Sequence, residues 1–118
     1  MKLYLIYACE GRFRGYHGIY DVDVIPCVSY QEAIEIGEEM SIDVMERYNT
    51  IEPLIEDDMT DEDYEGIIEE NLDYYVYEVD LNKIGNLSLD DLKNEANEDW
   101  RDFVDKYCLK ECIEEWKK

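Results

Sequence analysis

Basic residues are scarce in this chain, which has 11 Lys and Arg against 32 Asp and Glu and a net charge of −21 at pH 7. Between Arg47 and Lys83 there is no Lys or Arg, whereas thirteen acids lie from Glu52 to Asp80. A field of this sign repels nucleic acid and anionic membranes and attracts basic surfaces. The composition therefore argues against direct nucleic-acid or membrane binding and favours a basic protein partner.

Long apolar runs are also missing. No stretch approaches the ~18 apolar residues of a membrane span. The short apolar start is followed by Arg12 and Arg14, whereas a signal peptide carries its basic residues before the apolar run. We therefore expect a cytoplasmic protein whose cysteines stay reduced.

The apolar and aromatic content predicts a folded chain in spite of the charge. Hydrophobic residues make up 46% of the sequence, which includes 11 Tyr, 2 Trp and 2 Phe. Disordered acidic segments lack such aromatic residues. A length of 118 residues is typical of one domain, so we expect a single acidic domain over residues 1–118.

The hydrophobic pattern predicts the element order β-β-α-α-β-α-α. Alternating or apolar segments indicate strands at residues 2–9, 19–28 and 73–80, and helices are expected to begin after Ser29, Thr60 and Ser88 because each is followed three residues later by an acid. A final helix is expected over residues 98–116. The predicted fold is α+β, a three-stranded antiparallel sheet with helices packed on one face.

Acids recur at helical spacing on the two central helices. Asp61, Glu65 and Glu69 follow one another at four-residue steps, which places like charges close together and destabilises the helix. The simplest interpretation is a solvated face. The alternative is a mimic of nucleic-acid phosphates, with neighbouring tyrosines as anchors. The predicted partner-binding set is Asp61, Glu62, Glu65, Glu69, Asp73, Tyr74, Tyr75, Tyr77 and Glu78.

The four cysteines allow a zinc site but do not require one. Cys9 and Cys27 would lie level in a hairpin, and Cys108 and Cys112 would share a helix face, which together could form a tetrahedral site with His17 as a spare ligand. Neither pair has the C-x₂-C spacing of a zinc motif. Free cysteines are commonly buried small hydrophobes, so we expect core thiols and no cofactor.

No other motif supports catalysis. Residues 61–69 imitate part of a calcium loop, but its closing position falls on Leu72, and the same residues fit a helix start. The loop from Gly11 to Gly18 contains two arginines, yet no helix N-terminus follows it to hold a phosphate. A cysteine with His17 would lack a third catalytic residue. We therefore expect a protein that is not an enzyme.

In size, charge and tyrosine content the chain resembles the small acidic inhibitors that phages and mobile elements use against bacterial defence, namely anti-CRISPR and DNA-mimic antirestriction proteins. The first strand and the segment Gly15-Tyr-His-Gly18 resemble the start of ArdA-type antirestriction proteins. This chain is shorter than those proteins, and no functional residue is carried over.

The resemblance implies an inhibitor in the host bacterial cytoplasm that binds the basic nucleic-acid channel of an effector. A CRISPR effector nuclease of the Cas9 type is the expected partner, since its guide and DNA grooves are strongly basic. The alternative is an immunity protein or antitoxin that covers the basic active site of a nuclease toxin.

Overall fold

The computed structural model describes residues 1–9, 20–47 and 58–115; for Tyr20, Asn71 and residues 110–115 it describes the backbone alone. The elements in chain order are β1 (Lys2–Cys9), β2 (Tyr20–Cys27), α1 (Tyr30–Arg47), α2 (Asp61–Asn71), β3 (Tyr74–Val79), α3 (Leu89–Glu98), α4 (Trp100–Tyr107) and β4 (Cys108–Glu115). The order of the first seven elements is as predicted, and the α+β class is confirmed. The final strand was not predicted.

Within the described ranges the sheet has four strands in the order β2-β1-β3-β4, and every neighbouring pair is antiparallel. The prediction of three strands was therefore wrong by one. Strands β1 and β3 lie at the centre, and β1 is buried at six consecutive positions from Tyr4 to Cys9. Successive side chains of a strand point to opposite faces, so continuous burial means that both faces of the sheet are covered.

Helices pack on both faces, which corrects the predicted one-sided arrangement. On one face, Tyr4, Ile6 and Val76 pack with apolar residues of α1 and α2. On the other face, Leu5 and Val79 pack with apolar residues of α3 and α4. The sequence of β1 indicates that both faces of the sheet are covered, because a strand without polar residues at alternate positions needs an apolar layer on each side.

The predicted final helix over residues 98–116 was also wrong in its length. Helix α4 ends at Tyr107, and the chain continues as β4, which pairs with β3. The backbone N–H of Asp80 donates to the carbonyl of Tyr107 at 2.7 Å and holds this junction. A longer helix would have left the outer backbone groups of β3 without strand partners.

Local capping signals set the helix starts as predicted. The Thr60 hydroxyl accepts from the Asp63 N–H at 3.2 Å, while the Asp63 carboxylate accepts from the Thr60 N–H at 3.2 Å. Ser88 and Asp91 make the same reciprocal pair before α3. Residues 61–69 are therefore helical, and the calcium-loop interpretation is wrong. No helix in the described part of the chain is long and apolar enough to cross a membrane.

Candidate partner-binding face

Negative charge is concentrated in the helical layer formed by α1 and α2. Residues 30–47 and 58–71 contain thirteen acids and one base, Arg47. Residues 89–107, which cover the opposite face of the sheet, contain seven acids and three bases. The sheet thus separates a strongly acidic layer from a weakly acidic one, and we call the former the acidic layer.

The acids of α2 point into solvent. Within the acidic layer, the exposed acids are Glu35, Glu39, Asp43, Glu46, Asp58, Asp61, Glu62, Asp63, Glu65, Glu69 and Glu70. Among the described residues, no ion pair involves Asp61, Glu65 or Glu69. Like charges at this spacing repel one another and cost helix stability. Their field is therefore available to an external basic group.

Arg47 is the only base of the acidic layer and is itself engaged. Its guanidinium bonds to Asp43 one helical turn away, at 2.6 Å, and to Asp21 on β2. The hydrogen bond to Asp21, and then that to Asp43, raise the pKa of Arg47 above its ordinary value. Arg47 therefore connects the end of α1 to the edge of the sheet. With thirteen acids and one base, residues 30–47 and 58–71 carry a net charge of −12.

An open groove of about 490 Å³ runs beside α2. It is lined by Asp58, Met59, Glu62, Asp63, Gly66, Ile67 and Glu70. A Cβ atom added to Gly66 would meet nothing within 4 Å, so the missing side chain leaves open space there. Carboxylates beside the apolar side chains of Met59 and Ile67 suit a long basic side chain, whose stem is apolar and whose head is charged.

The predicted acids of α2 only partly coincide with this groove. Asp61, Glu62, Glu65 and Glu69 are all exposed, but of these only Glu62 lines the groove. Asp58 and Glu70 were missed. Glu70 follows the same four-residue step on α2 as Glu62 and Gly66, and this spacing, which places residues on one side of a helix, could have identified it. Asp58 precedes the helix, and no helical spacing points to it.

Two residues of the predicted set are buried and cannot serve as a contact surface in this fold. Asp73 is 3% exposed and Tyr74 is 1% exposed. The Tyr74 ring lies against Gly37 of α1, and its hydroxyl donates to Glu38 at 3.4 Å. Tyr74 therefore packs α1 onto the sheet, which corrects its predicted role as a partner anchor.

The remaining residues of the predicted set lie elsewhere on β3. Tyr75 and Tyr77 are half-buried and pack on the face covered by α3 and α4, away from the acidic layer. Glu78 forms an ion pair with Lys2 at 3.2 Å. Neighbours in a strand point to opposite faces, so residues that are adjacent in sequence do not form one binding cluster.

A buried polar cluster lies where α1 crosses the sheet. The Cys9 thiol donates to the Asp73 carboxylate at 2.8 Å, and the Ser41 hydroxyl donates to the Cys9 carbonyl at 3.3 Å. The same hydroxyl accepts from the Asp73 N–H at 3.1 Å. Each of the three residues is 3% exposed or less. We interpret the cluster as a structural connection between α1, β1 and β3.

The structure does not assemble the predicted zinc ligands. Cys27 pairs with Lys2, whereas Cys9 pairs with Tyr20, so the two cysteines lie at opposite ends of the hairpin, roughly 23 Å apart. Cys108 and Cys112 lie on β4, where they pair with Val79 and Tyr77, and not on a shared helix face as predicted. No cluster of three metal-binding residues occurs in the described ranges. His17 and the loop from Gly11 to Gly18 lie outside the described residues.

Comparisons with models of known protein families, with curated proteins and with solved structures gave no match. Function is therefore inferred from the charge distribution and the groove. Both features belong to the acidic layer, and that layer is the candidate partner-binding face.

Proposed function

We propose that this protein is a non-enzymatic inhibitor that binds the basic nucleic-acid channel of a DNA- or RNA-binding effector through its acidic layer. The observation that carries the proposal is the unequal charge of the two helical layers, thirteen acids and one base against seven acids and three bases. The target class to test first is a CRISPR effector nuclease of the Cas9 type, because its nucleic-acid grooves are strongly basic.

Helix geometry supports nucleic-acid mimicry by this layer. Duplex DNA carries one charge per ~1.7 Å of axis, held on a stiff support. Helix α1 has 18 residues and is therefore about 27 Å long, and acids four residues apart on a helix lie about 5–6 Å from each other. Binding to a basic channel would relieve the repulsion within the acidic layer and release counterions from both partners.

The groove beside α2 gives the proposed contact a specific position. An arginine from the channel would place its guanidinium among Asp58, Glu62 and Glu70, with its stem against Ile67. Bidentate bonds between a guanidinium and a carboxylate are stronger and more directional than those of a lysine ammonium. We therefore expect arginine to be the preferred basic residue at this position.

The proposal is tested by charge reversal on one layer at a time. The variant Asp61→Lys, Glu65→Lys and Glu69→Lys changes the acidic layer. The matched control, Asp90→Lys, Glu98→Lys and Asp105→Lys, makes the same net charge change at exposed positions of the other layer. Competition with labelled nucleic acid for a purified effector measures both variants, and circular dichroism checks their folding.

We expect the acidic-layer variant to lose at least about 100-fold in affinity, because like charges then face the channel and steering is lost. The control should lose less than about 10-fold, since it changes long-range steering alone. Equal losses of affinity in the two variants would mean that binding depends on the net charge of the molecule and not on one face, which contradicts the proposed site. A pull-down that captures a nuclease toxin in place of a CRISPR effector would reassign the protein to the immunity class.

A further inference from the structure

Large hydrophobic side chains are exposed at one end of the molecule. Among the residues that the structure describes, the exposed large hydrophobics are Met1 (83%), Val28 (74%), Tyr30 (56%), Leu81 (50%) and Leu109 (42%). Met1 precedes β1, Val28 follows β2, and Leu81 follows β3. Leu109 is the second residue of β4, and Tyr30 begins α1.

The antiparallel register brings these residues together. Lys2 pairs with Cys27 across β1 and β2, and Tyr4 pairs with Glu78 across β1 and β3. One step further along the β1–β2 pairing places Met1 beside Val28. Leu81 follows the end of β3 and so lies at the same end of the sheet. Val79 pairs with Cys108, which brings Leu109 to the same end. We call the surface formed by Met1, Val28, Tyr30, Leu81 and Leu109 the apolar end.

The apolar end is large for a surface that stays in water. Each of the five residues is at least 42% exposed, and together they present on the order of 500 Å² of surface, which is within the range of the largest apolar patch on a typical monomer. Two such surfaces together bury on the order of 1,000 Å², close to the lower limit for a specific interface.

Charge is nearly balanced at this end, in contrast to the rest of the molecule. Among the residues whose side chains are described, the charged ones that adjoin the patch include Lys2, Lys83, Glu32, Glu78 and Asp80, two bases and three acids, on a chain with a net charge of −21. Lys2 pairs with Glu78, and Lys83 lies close enough to Cys108 for its charge to lower that thiol's pKa. Self-repulsion between two copies is therefore weakest when these ends meet.

We propose that the apolar end is the interface of a symmetric dimer, in which a second copy of this chain covers Met1, Val28, Tyr30, Leu81 and Leu109. A two-fold contact uses the same patch on both copies and closes without forming a filament. A basic channel complements the acidic layer and not this nearly balanced end, so the second copy is the better fit. The dimer covers the start of each acidic layer at Tyr30 and leaves the remainder of both layers free, which permits bivalent binding.

Analytical ultracentrifugation tests the dimer directly. The variant Val28→Lys with Leu81→Lys places two charges in the patch, and the matched control Asn94→Lys with Asn97→Lys places two charges on exposed positions of α3. Thermal unfolding checks that both variants fold. We expect the first variant to raise the dimer dissociation constant on the order of 100-fold, since it buries unpaired charges at the centre of the interface.

The control should leave the dimer dissociation constant within a few-fold of the parent. Higher salt should strengthen the dimer, because it screens the long-range repulsion between two acidic molecules. A parent protein that stays monomeric up to about 1 mM would overturn the proposal. A monomer whose affinity for an effector falls on Val28→Lys and Leu81→Lys would show that this end contacts the effector, which also rejects the second copy as occupant.

Discussion

Cys108 shows how burial changes the chemistry of one side chain. It is 1% exposed and packs in the cluster that contains Val79 and Phe103. Burial raises the pKa of its thiol from 9.0 to about 12, while the charge of Lys83 lowers it by a smaller amount. The thiol therefore stays protonated in the folded protein at physiological pH, which makes it a poor nucleophile.

This shift predicts a loss of stability in alkaline solution. Above pH 9 the unfolded thiol ionises while the folded thiol stays protonated, so the free energy of unfolding should fall by up to about 4 kcal/mol as pH rises toward 12. Cys108→Ala should remove this part of the pH dependence. Urea denaturation at pH 7, 9 and 10.5 measures it, and parallel curves for the parent and the variant would contradict the assignment.

At the scale of elements, α1 and α2 both contribute apolar side chains to the same face of the sheet but differ at their glycines. A Cβ atom on Gly37 of α1 would lie 2.8 Å from a ring carbon of the buried Tyr74, so this helix lies as close to β3 as a glycine permits. A Cβ atom on Gly66 of α2 meets nothing within 4 Å. The two glycines therefore have different roles, close packing in α1 and an open groove in α2.

Alanine at these two positions should change stability in opposite directions. Gly66→Ala should stabilise the protein by roughly 0.5–1 kcal/mol, because alanine favours helix and the site has room. Gly37→Ala should destabilise it by about 1–3 kcal/mol, because the overlap with Tyr74 forces either the ring or the helix to move. Chemical denaturation measures both variants under one condition. Stabilisation by Gly37→Ala would mean that α1 moves away from the sheet at little cost.

At the scale of the whole molecule, the sheet acts as a partition between two layers of unequal charge. Arg47 is the single base of the acidic layer and already contacts Asp21 and Asp43. The apolar end adds a third surface of different chemistry. The two proposed contacts use different surfaces, so we expect a basic partner and a second copy of the chain to bind at the same time.

The two proposed contacts should respond to salt in opposite ways. Affinity for the effector should fall steeply as salt rises through the physiological range, because the Debye length shortens to ~8 Å and exposed charges are screened. Dimer affinity should hold or increase over the same range. Fluorescence anisotropy with a labelled effector measures the first. Effector affinity that stays constant from low to high salt would argue against the electrostatic mechanism.

Several features of this fold followed from local sequence. Thr60 with Asp63 and Ser88 with Asp91 started their helices as predicted, because a capping pair acts within four residues. The periodicity of apolar residues also set the order of the first seven elements. The acidic faces of α1 and α2 could also be predicted from the sequence, since helical spacing relates positions only one turn apart.

Which strands pair, and which helices cover each face of the sheet, depend on contacts between residues that are distant in sequence. The sequence alone was therefore insufficient to predict them. Residues 108–115 fit a helical period locally, yet they became β4 because β3 offered an edge for pairing. Register placed Cys9 and Cys27 at opposite ends of the hairpin and so separated the proposed zinc ligands.

The sequence by itself determined that this protein is acidic, folded and α+β, because charge, aromatic content and helix caps are properties of single residues and their near neighbours. Only the tertiary structure decided that Tyr74 is buried while Tyr75 faces the opposite layer, since that depends on which helix covers each side of β3. It likewise decided that Asp58, Glu62 and Glu70 share a groove. These outcomes arise from long-range packing, which local periodicity does not encode.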